Sequence, residues 1–270
     1  VLPPPERTDQ LYASMPHLQD IILGDTCDFR HEGVPWQPLH MDQLSRLKQL
    51  IMRCHECYEI HEGQPSKATG IECRLELTGT PHLRARRGST NPIVRMEIER
   101  QVQKQKDLGI IQDSCSPYSS TVLLVPKPGG GMRFCVDYRA LNKILVRDPY
   151  PLPRTEECMA SLEGSSWFST IDITTAFWQV PMAKESIPYT AFATQDGVYE
   201  YLRMPMGVMN GSAIFSRFID EVMSGLKWTC VLLYIDDCLV FSKSFDEHLA
   251  VLEQVLQRMK DHGLTLNAKK

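Results

Sequence analysis

The stretch Val231-Leu232-Leu233-Tyr234-Ile235-Asp236-Asp237-Cys238-Leu239-Val240-Phe241 holds two strand-length apolar runs with an acidic pair set between them. Branched and aromatic residues in short runs favour pleated strands. A buried, unpaired carboxylate costs roughly several kcal/mol, so acids placed here need a hydrogen-bonded turn, a cationic partner or a metal ion. Upstream, residues 167–171 read as another buried strand, ending on Asp172. Mg²⁺ suits such acids, because it takes a few carboxylates and completes its shell with substrate phosphate oxygens; two ions about 4 Å apart clamp both ends of an in-line phosphoryl displacement. Plainer readings stand beside this one: Asp-Asp as a hairpin turn, and Asp172 as the cap of a following helix. Neither acid decides between them alone.

Outward from these strands, the pattern alternates between helical and extended periods. Residues 121–125 and 132–136 are β-rich runs joined by the basic, glycine-rich tip Pro126-Lys127-Pro128-Gly129-Gly130-Gly131, which predicts a hairpin. A second hairpin is expected at Asp196-Gly197, a dipeptide that favours positive φ in a tight turn. Leu44, Leu47, Ile51, Cys54 and Tyr58 recur at helical spacing, and a second helix opens with Asn91 as cap and Pro92 in its first turn, running to about Leu108. A short helix over 155–162 stops at Gly164, and Phe215, Phe218, Val222 and Leu226 mark another. The last helix begins with a Ser244–Glu247 capping box, carries an apolar stripe of Leu249, Leu252, Leu256 and Met259, and stops at Gly263. The first forty residues, Pro- and Asp-rich, read as linker, with a weak polyproline docking segment at Pro3-Pro4-Pro5. No internal repeat is present, and the sum is an α+β architecture with acids at strand ends.

A length of 270 residues with 43% apolar content allows one large domain or two small ones and excludes wholesale disorder. No apolar run approaches the ~18 residues of a membrane span. Nine scattered cysteines favour free thiols in a reducing compartment. The start, Val-Leu-Pro-Pro-Pro, is no signal peptide and lacks Met, as expected for a piece of a longer product. The net charge of −4 hides three blocks: −5 over residues 1–83, +7 over 84–147 and −6 over 148–270. A basic middle flanked by acidic ends suggests one phosphate-facing segment joined to one that collects cations, although uneven solvated surfaces would give the same sums.

The surroundings of the acids carry a resemblance. Tyr234-Ile235-Asp236-Asp237 matches the tyrosine-x-aspartate-aspartate signature of reverse transcriptases. Phe168-Ser169-Thr170-Ile171-Asp172-Ile173-Thr174-Thr175-Ala176-Phe177-Trp178-Gln179 resembles that family's first catalytic motif. The run from Val125 to Lys143 resembles its fingers hairpin, and Met204-Pro205-Met206-Gly207 and Gly263-Leu264-Thr265-Leu266 stand in the family's order and spacing. These ordered motifs span about residues 84–270, and the phrasing is closest to gypsy-type long-terminal-repeat retrotransposons. The resemblance implies a right-hand polymerase with fingers and palm, the palm a ferredoxin-like antiparallel sheet with helices on one face and the thumb absent. By block, 1–83 would be an amino-terminal extension, 84–147 fingers, and 148–270 palm with interleaved fingers segments.

The implied activity is RNA-directed DNA polymerisation, adding dNTPs to a primer 3′-hydroxyl on an RNA or DNA template with two Mg²⁺ ions, for which Mn²⁺ can substitute. Asp172, Asp236 and Asp237 resemble the catalytic carboxylates, with the backbone carbonyl of Ile173 as a further metal ligand. Phe177 matches the bulky residue that rejects a ribose 2′-hydroxyl by volume. Lys127 and Arg133 resemble the cations that grip the triphosphate through charge-assisted bonds. Met206, Gly207 and Lys269 fall on further nucleotide-contacting positions; Met206 departs from the Gln of retroviral members and the aromatic of many gypsy-type ones. Asp137 and Arg139 look like template-side residues or simply an ion pair, Tyr234 belongs to the same group, and Arg84, Arg86 and Arg87 suit template or primer phosphates. The resemblance further implies a protease upstream and thumb, connection and ribonuclease H regions downstream in a Pol polyprotein, no membrane, and a cytoplasmic location within virus-like particles. A non-catalytic nucleic-acid-binding or assembly module descended from such an element is the alternative; a nucleotide cyclase needs neither the hairpin nor a sugar gate. Cys54-x-x-Cys57 with His61 invites a zinc reading, but no second ligand pair follows and Cys54 lies on the apolar stripe, which favours core packing.

Overall fold

The computed structural model describes residues 39–58, 65–80, 91–127, 130–151, 153–234 and 237–268. In chain order its elements are α1 (Met41–Arg53), a 3₁₀ turn (His55–Cys57), α2 (Pro92–Asp107), β1 (Ile111–Asp113), β2 (Ser120–Pro126), β3 (Met132–Asp137), α3 (Arg139–Asn142), α4 (Thr155–Ser161), β4 (Trp167–Asp172), α5 (Ala176–Gln179), a 3₁₀ turn (Ile187–Thr190), β5 (Phe192–Ala193), β6 (Val198–Tyr201), α6 (Gly211–Val222), β7 (Val231–Tyr234), β8 (Asp237–Ser242) and α7 (Phe245–Asp261). Contacts gather these into two compact units, neither continuous in sequence. One comprises Val1–Glu62, Pro153–Thr174 and Ile219–Lys270; the other comprises Gly63–Leu152 and Thr175–Phe218.

The first unit is built on an antiparallel sheet ordered β4-β8-β7. On the far side of β4, Ile173 bridges Leu266, which in turn bridges Tyr58. Helix α7 covers one face of the sheet, burying Val251, Leu252, Val255, Leu256 and Met259. His248 on this helix is pinned between two strands, with Nε2 2.8 Å from Ser169 Oγ and Nδ1 2.9 Å from Ser242 Oγ. Because the Ser242 hydroxyl donates to the Ser244 carbonyl, Nδ1 carries the proton and Nε2 accepts from Ser169. Burial pushes the His248 pKa down to about 4, so the ring is neutral.

The ends of α7 depart slightly from the expected capping box. Ser244 accepts from the Glu247 N–H, but the Glu247 carboxylate accepts from Lys243 N–H, one residue outside the box. At the other end, Gly263 is left-handed, with its N–H on Lys260 and the Leu264 N–H on Met259, a Schellman stop. Helix α1 ends at Arg53, earlier than the apolar spacing through Tyr58 suggests. The chain tightens into the 3₁₀ turn and Tyr58 leaves to join the sheet beside Leu266. Cys54 and Cys57 are both buried, and the Cys57 thiol donates to the Leu256 carbonyl at 3.2 Å; burial pushes its pKa up to about 12, the behaviour of a core thiol.

The second unit holds a five-stranded sheet ordered β1-β6-β5-β2-β3, with β2 and β5 parallel and the other pairs antiparallel. The Asn91 side chain caps α2 by accepting from Ile93 N–H at 3.0 Å. Phe134 and Phe192 pack edge-on in the sheet's core. The hairpin at Asp196-Gly197 forms, but for a different reason than positive φ. Gly197 lies outside the left-handed region, and Thr194 N–H closes the turn on the Gly197 carbonyl. Glycine avoids a tight contact here, since a Cβ would sit 3.0 Å from the Tyr199 hydroxyl.

Candidate active site

Strand pairing sets two of the three acids against each other. Asp172 is directly opposite Asp237 across β4 and β8, and Asp237 is directly opposite Tyr234 across β8 and β7, so all three side chains share one face. That face lies opposite the one covered by α7, and Tyr234 on it is 48% exposed. The Asp172 carbonyl accepts from Asn267 N–H at 2.9 Å, on the side away from β8. By alternation, Asp172 and Asp237 therefore form a non-hydrogen-bonded pair, the closer kind, with Cα atoms about 4.5 Å apart. Like charges directly opposite each other repel, and a cation between them offsets that repulsion. The same alternation turns the Ile173 carbonyl towards the β8 side: Thr174 N–H bonds Thr265 and Ile173–Leu266 is itself a non-bonded bridge. Ile235 and Asp236, between β7 and β8, lie outside the described residues, as do Arg84, Arg86, Arg87, Lys269, His61 and Pro3-Pro4-Pro5.

Among the described residues no three His, Cys, Asp or Glu side chains gather as a metal cluster. The two opposed carboxylates and the backbone carbonyl beside them are all hard oxygen donors, with no thiolate or imidazole among them. That donor set fits Mg²⁺ or Mn²⁺ rather than zinc.

In the second unit, Lys127 and Arg133 are both exposed and have no ion-pair partner among the described residues. Val125 pairs with Arg133 in the β2–β3 ladder, which puts Leu123, Val125 and Arg133 on the hairpin's outer face. Lys127 follows β2, and its N–H bonds Gly131, where Gly130 and Gly131 both take positive φ. Asp137 and Arg139 form an ion pair at 2.7 Å. Phe177 on α5 packs edge-on against Phe215, with ring centroids 6.1 Å apart. Met206 is 51% exposed, and Gly207 has φ 93°, which only glycine adopts readily.

Three features were not legible beforehand. Asn142 grips the Met206–Gly207 corner with both ends of its amide, Nδ2 donating to the Gly207 carbonyl and Oδ1 accepting from Met209 N–H, each at 2.9 Å. Asn267 donates from Nδ2 to Asp172 Oδ2 at 3.0 Å. Thr175 is left-handed at φ 43°, a strained conformation for a β-branched residue, and its buried hydroxyl has no partner among the described residues. Local sequence signals none of these, since Asn and Thr are equally at home in turns and on surfaces.

The sequence profile described as "Reverse transcriptase (RNA-dependent DNA polymerase)" matches residues 125–270. The chain belongs to the reverse transcriptase family. It is 35% identical over 240 residues to the retrovirus-related Pol polyprotein from transposon 297 of Drosophila melanogaster, covering 86% of this chain and 22% of that protein. It is 40% identical over 182 residues to the Pol polyprotein from transposon opus of the same fly, covering 66% of this chain and 18% of that protein. The chain thus spans about a fifth of the curated relatives it matches. A solved foamy viral protease-reverse transcriptase in complex with RNA/DNA hybrid superposes with a TM-score of 0.79 at 23% identity, covering 86% of this chain and 31% of that one, which places the reverse transcriptase fold here. Reverse transcriptases generally use divalent metal ions. Among the described residues no helix is long and apolar enough to cross a membrane.

Proposed function

We propose that this chain is the fingers and palm of an RNA-directed DNA polymerase from a gypsy-type retroelement, extending a primer on an RNA or DNA template with dNTPs. The observation that carries the reading is the Asp172–Asp237 opposition, which brings two hard oxygen donors side by side on one face of the sheet. Asp172, Asp237 and the neighbouring Asp236 hold the metal, with the Ile173 carbonyl completing the donors. Two Mg²⁺ ions, when bound, lower the pKa of the primer 3′-hydroxyl and neutralise the triphosphate and leaving pyrophosphate. Lys127 and Arg133 present unpaired charge to the triphosphate, and Lys269 serves the same anion. Phe177 is the sugar gate, held at a fixed angle by Phe215. The Gly207 corner and Met206 line the nucleotide, while Arg84, Arg86, Arg87, Tyr234 and the Asp137–Arg139 pair serve template and primer. The first unit, with its open-faced sheet, is the palm, and the second, with its basic hairpin, the fingers. The chain works inside a Pol polyprotein, with protease, thumb and ribonuclease H regions as its companions, within cytoplasmic virus-like particles.

Primer extension with Mg²⁺ on an RNA and on a DNA template, with Asp172→Asn beside the parent, tests the reading. Extension on RNA that disappears in the variant supports it. Salt-sensitive duplex binding without extension would move the assignment to a non-catalytic binding module. Phe177→Val should admit ribonucleotides; unchanged sugar selectivity would remove the gate from the reading.

A further inference from the structure

We infer that Asn267 is a positioning residue for the metal site: its side-chain amide fixes the rotamer of Asp172 so that the carboxylate meets the cation in one orientation. The inference rests on the reading of Asp172 as a metal ligand and adds to it a residue that no catalytic motif marks.

Asn267 makes two separate bonds to the same residue. Its backbone N–H donates to the Asp172 carbonyl at 2.9 Å, and its side-chain Nδ2 donates to Asp172 Oδ2 at 3.0 Å. The backbone bond belongs to a short edge pairing that includes Thr174 N–H on the Thr265 carbonyl at 3.0 Å and the Ile173–Leu266 bridge. That pairing holds the 265–267 segment against β4 whatever side chain stands at 267. The amide bond is therefore surplus to the fold and aimed at the carboxylate.

Its chemistry suits the task. A carboxylate at a strand end rotates freely about two bonds, and a donor on one oxygen removes that freedom. Partners one shell out from a metal typically change its affinity about 10- to 100-fold when removed. Asp172 is gripped on one flank by Asn267, while Asp237 lies directly across on the other. An amide is neutral, so it orients the acid without neutralising it as Lys or Arg would, and without adding the repulsion another carboxylate would bring.

The experiment titrates Mn²⁺ alone, without nucleotide, into the purified protein and follows free Mn²⁺ by electron paramagnetic resonance. Asn267→Ala, Asn267→Gln and Asp172→Asn are compared with the parent, with the unfolding midpoint and steady-state extension measured on each. Asn267→Ala should bind Mn²⁺ about 10- to 100-fold more weakly, lower kcat, and leave KM for dNTP within about twofold, with a midpoint close to the parent because the backbone bond survives. Asn267→Gln, which keeps the amide but displaces its N–H by one methylene, should fall between. Parent-like Mn²⁺ affinity in folded Asn267→Ala overturns the inference. Should Ala lower the midpoint too far for titration, Asn267→Leu, which keeps the volume and removes the donor, takes its place, and parent-like affinity there overturns the inference. Loss of Mn²⁺ binding in Asp172→Asn alongside an unaffected Asn267→Ala would sink this inference and leave the polymerase reading standing. An unaffected Asp172→Asn would sink both.

Discussion

The acidic end of the first unit and the basic hairpin of the second handle charge in opposite ways. Asp172 and Asp237 are locked by strand register, with Asp172 further bonded through both its carbonyl and its carboxylate to Asn267. Lys127 and Arg133 ride on an exposed hairpin whose outer face also shows Leu123 and Val125. A small divalent ion demands fixed oxygens at short range, so its ligands are set in advance by backbone pairing. A triphosphate is large and multiply charged, and long cationic side chains can meet it without such precision.

The largest effect is expected of Asp237→Asn. It should cut extension at least a thousandfold, roughly 4 kcal/mol of transition-state stabilisation, yet raise metal-free stability by about 0.2–1 kcal/mol because an opposed like charge is gone. Denaturant melts in chelator, read beside the activity, check both signs; a destabilised variant would mean the pair does not repel. On the basic side, Lys127→Ala and Arg133→Ala should each raise KM for dNTP about tenfold while nucleotide-free Mn²⁺ binding is untouched, since charge-assisted bonds to phosphate are lost and the carboxylates are not. Equal damage to Mn²⁺ affinity would erase the distinction between the two regions. Gly207→Ala probes the corner held by Asn142. Forcing an L-residue to φ 93° should cost about 1–2 kcal/mol in urea unfolding. A pH-dependent effect concerns His248. Its pKa lies near 4 in the folded protein, below the ordinary 6.5, so the unfolded chain binds the extra proton first. Stability should be full above about pH 6.5 and fall as pH drops towards 4, by no more than about 1.4 kcal/mol per pH unit. His248→Gln should flatten that slope in thermal melts across the window.

Much of the fold was legible from local pattern. The cap at Asn91, the stop at Gly263, the β2–β3 hairpin and the strands on either side of Asp236-Asp237 all follow from short-range chemistry that the sequence states outright. The early end of α1 was hidden, because the apolar spacing continues past Arg53 while Tyr58 is recruited by Leu266, 208 positions away in the chain. The role of Gly197 was hidden too, since its cause is the Tyr199 ring rather than its own φ.

The charge blocks illustrate the same limit. They are contiguous in sequence, whereas the compact units interleave: residues 175–218 return to the unit that contains the basic hairpin, and α1 joins the unit of the acids. Asn142 and Asn267 look like any other polar residues in the chain, and only the backbone brought against them gives each amide its partner.

By itself, then, the sequence determined where strands and helices lie, which acids and cations stand at their ends, and the family those motifs mark. Periodicity, caps and turn residues act over a few positions and are written in the local order. Only the tertiary structure decided that Asp172 faces Asp237 as a close, non-bonded pair and that one asparagine holds that acid from behind. Those facts depend on which distant strands lie side by side and in what register, and a one-residue slip would have turned every side chain to the other face.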